Sequence, residues 1–585
     1  MKEKALRIRR DEAALKKEER VTGSEILLRM LLLEGVECVF GYPGGAVLYI
    51  YDAMHDNPDF RHLLTRHEQG AIHAADGYAR STGKTGVCLA TSGPGATNLV
   101  TGIATAHMDS VPLVIITGNV PSDLIGTDSF QEADIVGITQ PITKHSFFVR
   151  RVEDLARTIR EAFHIAGTGR KGPVLIDIPK DVSAAITTFI YPERLNIREL
   201  TLSAPVDDLS TQIDRLIEAI RASERPVLLA GGGIVYSEAA DELDEFVRVT
   251  GIPVVTTLLG LGGYSSESEL WLGMGGMHGA YAANEALIRC DLLISVGARF
   301  DDRITMRLDG FAPNARIAHI DIDAAEIGKL VPTSLPLRGD AKNVLAGLNR
   351  RIGSELQRTA DIRAWVDLLL RHKREFLLSY EHSASMLKPQ YVIEMISRTT
   401  AGDAIITTDV GQHQMWTAQF YRFKRPRSLI TSGGLGTMGF GFPSAIGAQI
   451  GNPDRIVVSI NGDGGMQMCA QELAVCAIHR IPVKIVVLNN GTLGMIKQWQ
   501  ELIYDRRYSH IDLEGSPDFV KLADAYGVAA GRATTNEEAE REWSKALTEP
   551  GPYLIDFVVS RDELVYPMVP QGARLQDMIL GRERP

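Results

Sequence analysis

The sequence is short of aromatics and cysteines, has no excess of positive charge, and contains no long apolar run. Each shortage excludes something. Phe, Trp and Tyr make up only 6% of the 585 residues, within an apolar and charged balance that excludes disorder, a collagen-like repeat and a coiled coil. The five cysteines, Cys38, Cys88, Cys290, Cys469 and Cys476, form no CxxC pair. An odd number without that spacing implies neither a disulfide framework nor a zinc site, and most read as small buried hydrophobes in a reducing compartment. The formal net charge is −11, which leaves no electrostatic footprint for nucleic acid; an anionic ligand must be met by locally placed cations or helix N-termini. No run approaches the ~18 apolar residues of a membrane-spanning helix. Residues 1–20 carry eight Lys/Arg and five Asp/Glu with no apolar stretch. That argues against a secretory signal or transit peptide and for a charged, frayed start to a cytoplasmic protein.

What is present is an ordinary globular balance, 45% apolar and 23% charged, with 55 glycines. Glycine-rich, aromatic-poor sequences suit α/β folds whose loops approach a ligand closely. The length suggests about three domains of ~180 residues. Thr22 and Glu25 read as a capping box ahead of the helix EILLRMLLLEG. From there short apolar runs alternate with helical periods. The strands are VECVFGYP, TGVCLATSG, PLVIITGN and PVLIDIP, then PVLLAGGGI, IPVVTT, DLLISVGARF and ARIAHIDID, then AIITTDVG, RIVVSINGDGG, VKIVVLNNG and PYLIDFVVS. Such alternation means parallel sheets covered on both faces. The expected domains span 21–190, 205–370 and 386–560, with an irregular tail over 561–585. A polar connector near 191–207 and a charged helical segment over 353–384 separate them. CLATSG leads through a helix to Pro112 19 residues after Gly93, and VVSING leads likewise to Pro482 20 residues after Gly462. The economical reading is one βαβ template used twice, so that similar first and third domains flank a different, Rossmann-like middle one. Chance likeness between α/β units is the alternative.

The sharpest motif is Gly462-Asp463-Gly464, followed 26 residues after Gly464 by Asn490. Both elements fall at the C-terminal ends of predicted strands, where open α/β sheets bind ligands. Asp463 and Asn490 offer hard oxygens for Mg²⁺, and the Thr492 carbonyl completes the protein's share, with diphosphate and water filling the octahedron. Gly464 and Gly465 let backbone N–H groups reach phosphate at a helix N-terminus. A lone GDG is otherwise an ordinary strand-end turn; its pairing with NN between matched strands makes it specific.

The GDG…NN pair resembles the thiamine diphosphate motif. Further segments resemble the catalytic large subunits of acetohydroxyacid (acetolactate) synthases over nearly the whole chain, from about 20 to 580. They include GYPGG (41–45), RHEQGA (66–71), TSGPGATN (91–98), Phe130-Gln131, GARFDDR (297–303), GQHQMW (411–416), GLGTMG (434–439) and GMIKQW (494–499). The resemblance implies three doubly wound α/β domains and the cofactors thiamine diphosphate, Mg²⁺ and FAD. It implies that Glu68 hydrogen-bonds the pyrimidine N1′; taken alone, Glu68 reads as a helix N-terminal acid. Tyr42, Pro94 and Asn98 fall on the same cofactor-binding segments. Gly436 would accept from the 4′-amino group, Met438 would wedge between the rings (alone, it reads as core filler), and Gln412 and His413 would reach the diphosphate. Gly45, Gln131 and Arg299 would meet the reacting substrates, Arg299 alternatively being a structural partner of Asp301 or Asp302. Trp499 and Met495 would line the acceptor pocket, and Phe130, Lys180 and Met274 the approach to it. The flavin surface would comprise Arg170, Gly231, Gly232, Gly233, Met277, His278, Gly279, Gly297, Arg299, Asp321, Ile322 and Asp340. The GGG run alone is weak, since it lacks GxGxxG spacing.

By the same resemblance the enzyme decarboxylates pyruvate and ligates the hydroxyethyl unit to a second pyruvate or to 2-oxobutyrate. The products, 2-acetolactate or 2-aceto-2-hydroxybutyrate, feed branched-chain amino acid biosynthesis. Active sites would lie at the subunit interface of a homodimer or homotetramer, with a separate small regulatory subunit. Neither nucleic acid nor membrane is an expected partner. The alternatives are a flavin-reducing pyruvate oxidase, or a cofactor-binding paralogue without chemistry, against which Glu68, Asp463 and Asn490 speak.

Overall fold

The computed structural model describes residues 12–57, 60–195, 197, 209–353, 361–383 and 385–581. Residues 1–11 of the expected charged start and 196 and 198–207 of the expected connector lie outside them. Three six-stranded sheets dominate, and every strand pair within them is parallel. The first sheet uses Val39–Gly41, His62–Leu64, Gly86–Ala90, Leu113–Asn119, His145–Phe148 and Pro173–Pro179. The third uses Ile405–Thr408, Leu429–Thr431, Val457–Gly462, Lys484–Asn489, Ala529–Ala533 and Tyr553–Val558. Numbered by chain position, both have the spatial order 2-1-3-4-6-5. The repeated βαβ spacing in the sequence therefore reflects a repeated sheet. The middle sheet uses Pro226–Ala230, Val254–Thr256, Trp271–Met274, Leu292–Val296, Arg316–Asp321 and Leu335–Arg338. Its order is 3-2-1-4-5-6, that of dinucleotide-binding folds.

Local chemistry sets the element ends. Thr22 caps helix Gly23–Leu33 and forms the expected capping box with Glu25, while Arg20–Thr22 pairs antiparallel with Ile186–Thr188. In the charged segment the helix is Arg363–Glu375; residues 354–360 and 384 fall outside the described set. Trp365 on that helix is buried and donates to the Pro226 carbonyl at 3.2 Å, so the helix docks on the middle domain. The tail beyond 560 holds one short turn, Leu575–Asp577. It bridges domains: Gln498 bonds both backbone groups of Val565, and Val569 N donates to Met277 O.

The first and third domains meet where helix Glu68–Thr82 crosses helix Gly441–Gly451. A Cβ on Gly447 would lie 1.7 Å from the Ala74 carbonyl oxygen, and one on Gly77 2.0 Å from that of Ser444. The helices touch backbone to backbone, and only glycine permits it. Gly447→Ala is accordingly expected to force the helices apart. Overpacking costs about 1–3 kcal/mol, and here no side chain can swing away, so the upper end applies. Thermal unfolding checks this; an unchanged midpoint would mean the crossing is looser than described.

Candidate active site

In each domain the glycine-rich segments lie at the carboxyl ends of strands flanking the point where strand order reverses. In the third sheet this point falls between Ile405–Thr408 and Val457–Gly462. Asp463 is the first residue of helix Asp463–Cys469. Its Oδ1 accepts from Gly464 N at 3.0 Å and its Oδ2 from Gly491 N at 2.8 Å. Burial nevertheless pushes its pKa up to about 6, because no cation lies against it to stabilise the charge. Asn490 Oδ1 accepts from Thr492 N at 3.1 Å, which leaves the amide oxygen a second lone pair. His413 is buried, its Nε2 has no partner, and burial lowers its pKa to about 4. Gln412 donates to Gln498 Oε1 at 2.9 Å and to Glu563 O at 3.1 Å. A carboxylate, an amide oxygen and an unpartnered imidazole nitrogen thus line one wall, beside a helix start. This donor set fits a metal-bound diphosphate.

That wall belongs to a cavity of roughly 1170 Å³ that runs into the middle domain. Its size exceeds the ~300–1,000 Å³ usual for a single ligand. It is lined by Gln412, His413, Gly436, Met438, Gly462, Asp463, Gly464, Gly465, Asn490, Thr492, Met495 and Trp499 of the third domain. From the middle domain come Gly232, Gly233, Met274, Met277, His278, Gly297, Arg299, Asp321, Ile322 and Asp340, with Arg170 reaching over from the first. Gly231 and Gly279 do not line it. The glycines owe their places partly to packing: a Cβ on Gly231 would lie 2.1 Å from Gly297 O, so the two strand ends nearly touch. Asp340 is an ordinary N-cap, accepting from Lys342 N and Asn343 N. His278 faces the Pro567 carbonyl at 3.3 Å, and burial lowers its pKa to about 4. Arg170 pairs with Asp323 at 3.1 Å and Glu326 at 2.7 Å. Arg299 pairs with Asp301 at 3.3 Å and donates to Met108 O; it is both ion-paired and on the cavity wall.

Every other first-domain candidate lies off this cavity. Glu68 opens helix Glu68–Thr82 behind the N-cap His67, and Asn98 Nδ2 donates to Glu68 Oε2 at 3.0 Å. Tyr42 and Gly45 are exposed, Pro94 starts the short helix Pro94–Thr97, and Lys180 stands 6.0 Å over the Tyr49 ring. Phe130 is 86% exposed, and Gln131 beside it has φ +62°, an uncommon conformation for a side chain of this kind. The structure therefore divides the candidates into a cavity set and a first-domain set.

Two carboxylates that sequence reasoning missed hold the loop carrying Gly436. Asp109 of the first domain accepts from Gly433 N at 2.9 Å and Gly434 N at 2.7 Å, and is itself paired with buried Arg80. Asp409 accepts from Gly439 N and Gly441 N at 2.8 and 3.2 Å, and burial pushes its pKa up to about 6. The Asp109 bonds span more than three hundred residues, so no local pattern announces them.

Residues 21–138 match the N-terminal TPP binding domain of the thiamine pyrophosphate enzymes, 213–348 their central domain and 409–557 their C-terminal TPP binding domain. The chain is 49% identical over 567 residues to the acetolactate synthase large subunit of Corynebacterium glutamicum, covering 96% of this chain and 90% of that one. It is 47% identical over 570 residues to the probable acetolactate synthase large subunit of Methanocaldococcus jannaschii, covering 95% of each. With acetolactate synthase 3, chloroplastic, of Brassica napus, identity is 47% over 567 residues, covering 95% and 86%.

Proposed function

The chain belongs to the acetolactate synthase large subunits of the thiamine pyrophosphate enzymes, and from that premise we propose which of its residues carry the reaction. The activity is thiamine diphosphate-dependent: pyruvate is decarboxylated and its two-carbon unit ligated to a second 2-oxoacid, giving 2-acetolactate from pyruvate or 2-aceto-2-hydroxybutyrate from 2-oxobutyrate, for branched-chain amino acid biosynthesis. The observation that carries the assignment of residues is the cavity wall on which Asp463, Asn490 and the unpartnered His413 converge.

Among the described residues no three His, Cys, Asp or Glu side chains gather as a metal site. The Mg²⁺ site we infer has a single carboxylate, Asp463, with the Asn490 amide oxygen and the Thr492 carbonyl, so diphosphate oxygens must supply much of the shell. Gln412, His413 and the amides after Gly462 hold the diphosphate end. Gly436 would accept from the pyrimidine amine, and Met438 would pack against the cofactor rings. When bound, thiamine diphosphate supplies the electron sink that lets a 2-oxoacid lose CO₂. Glu68 holds and exchanges a proton with the pyrimidine ring nitrogen. Arg299 meets the acceptor's carboxylate, while Met495 and Trp499 bound the pocket for its side chain. Gly45 and Gln131 position the reacting carbonyls, and Phe130, Lys180 and Met274 guard the approach. FAD would be held at the middle-domain end by Arg170, Gly232, Gly233, Met277, His278, Gly297, Arg299, Asp321, Ile322 and Asp340, which line the cavity, with Gly231 and Gly279 set back from its wall. When bound there, FAD would shape the site.

Glu68 lies off its own chain's cavity, and Phe130, Tyr42, Leu48, Tyr49 and Met468 expose apolar surface. We therefore assign a homodimer, or a dimer of dimers, in which a second copy brings Glu68, Gly45 and Gln131 to the cavity. The domain limits we assign remain 21–190, 205–370 and 386–560. The five free, buried thiols fit a reducing cytoplasm. A separate small regulatory subunit completes the assembly.

Product analysis with pyruvate alone and with added 2-oxobutyrate tests the activity: pyruvate consumed without ligation product, with flavin bleaching at turnover rate, would overturn it in favour of an oxidase. The same assay tests Trp499. Trp499→Leu is expected to shift competing products toward acetolactate, since the ring packs the extra methyl of 2-oxobutyrate. One methylene is worth about 10–200-fold at most in such a pocket. An unchanged ratio would leave Trp499 a structural aromatic.

A further inference from the structure

Asp463 stands at the start of its helix, and a second acid, Glu472, lies on the same stretch of chain outside the cavity. The helix Asp463–Cys469 runs directly into the turn Ala470–Glu472. Glu472 is 0% exposed, a costly place for a carboxyl group unless it is hydrogen-bonded. Its hydrogen-bond partners are backbone amides of the first domain. Arg66 N donates to Oε1 at 3.0 Å and to Oε2 at 3.1 Å, across 406 residues of sequence, and the adjoining His67 amide also favours the charged carboxylate. A Cβ on Gly70 would stand 2.4 Å from Oε1. The carboxyl is thus pressed against the first turn of the helix that Glu68 opens, and the missing side chain at Gly70 makes the room. Burial raises its pKa to about 7, opposed by these amides and by the charge of Arg66.

The geometry points to Glu472 as a positioning residue for Glu68 of the same chain. It fixes the Arg66 amide, two residues ahead of Glu68, by a two-pronged bond and so sets the direction in which that side chain leaves the helix. His67 is extended at φ −156°, ψ 145° while Glu68 is already helical, so the backbone turns a corner there and a clamp on the corner governs the first residue beyond it. Asn98 holds the other end, the Glu68 carboxylate itself. Backbone and side chain are thereby restrained from opposite sides, one restraint from the third domain and one from the first. An error of ~1 Å in placing a catalytic group can cost ~10²-fold in rate. The inference rests on Glu68 being the proton-exchanging group.

The test is a double-mutant cycle in the full chain with saturating thiamine diphosphate and Mg²⁺, comparing Glu472→Gln, Glu68→Gln and the double variant. Glu472→Gln keeps the size but turns an N–H₂ toward the Arg66 and His67 amides. Expected is a fall in kcat of about 10-fold or more, while cofactor and pyruvate constants change by less than about 3-fold. In the Glu68→Gln background the same change is expected to cost less than about 2-fold, because residues acting through one another are not additive. Hydrogen exchange of the cofactor-free chain supplies a readout independent of activity: amides 66–70 are expected to exchange faster in Glu472→Gln, with the 463–466 amides unaltered. Full multiplication of the two effects, an unchanged kcat in Glu472→Gln, or unchanged protection at 66–70 would each overturn the proposal while leaving the Glu68 assignment standing. Wild-type kcat in Glu68→Gln itself would instead remove that assignment, and this inference with it.

Discussion

Glu68→Gln is expected to lower kcat by at least about 100-fold, the lower range for a group that moves a proton in the rate-limiting chemistry, with thiamine diphosphate and Mg²⁺ still bound. The substitution is nearly isosteric. A Gln carbonyl oxygen can still accept from Asn98 Nδ2, the contact that sits at 3.0 Å, so the rotamer is retained. What disappears is the ability to hold and release a proton. The stability change should be small by comparison, since a carboxylate at a helix N-terminus contributes only about 0.3–1 kcal/mol. Turnover at saturating cofactor, together with a cofactor titration by intrinsic fluorescence, separates the two effects. Near-wild-type turnover would leave Glu68 a helix-start acid and nothing more.

The strands readable from sequence and those that were not divide along a physical line. The twelve expected strands are the four inner strands of each sheet, covered by helices on both faces and therefore written as continuous apolar runs. The six that sequence reasoning did not identify are the two edges of each sheet. Their text is shorter or mixed: His62–Leu64, Leu335–Arg338 and Ala529–Ala533 mix exposed and buried positions and His145–Phe148 buries none of its residues fully, as suits edge strands unpaired on one side. Trp271–Met274 and Leu429–Thr431 are mostly buried, but the polar flanks SSESEL and KRPRS ahead of them extend no apolar run, so they do not stand out from surrounding loop.

The site divides similarly. Asp463, Asn490 and the 231–233 and 297–303 segments were legible because a ligand-facing residue at a strand end keeps a fixed offset from an apolar run. Asp109, Asp409 and Glu472 were not, because each acts by holding backbone amides elsewhere in the fold, 324 residues away for Asp109 and Gly433. The sequence also left Arg299 between two readings, an ion pair or a cavity cation. In the fold it is both, paired with Asp301 yet on the cavity wall. Proximity in sequence announced the pair, and only the tertiary structure could place it on the wall.

Asp463→Asn is expected to rank level with or above wild type in stability when cofactor-free and below it when cofactor is present. Burial raises the Asp463 pKa from 3.8 to about 6, so the folded state holds its proton over a range where the unfolded chain has released it. Stability therefore falls as pH rises from about 4 to about 6, and above that window the full cost of the buried charge applies, roughly 3 kcal/mol at most. Asparagine carries no charge, so the cofactor-free variant should be at least as stable as wild type at pH 7.5, despite weakening one of the bonds from Gly464 N and Gly491 N. Adding Mg²⁺ and thiamine diphosphate should raise the wild-type unfolding temperature strongly, since ligand at 100 times its dissociation constant contributes about 2.7 kcal/mol. In the variant a hard ligand is lost, and both apparent constants should rise together by at least about 10–100-fold, the range seen even for groups one shell further out. The gain on adding cofactor should then largely vanish. Thermal unfolding with and without both ligands, at pH 5 and pH 7.5, reads all of this at once. If Asp463→Asn bound metal and cofactor with wild-type constants, Asp463 would be an ordinary helix-start acid, and the metal would have to be held elsewhere.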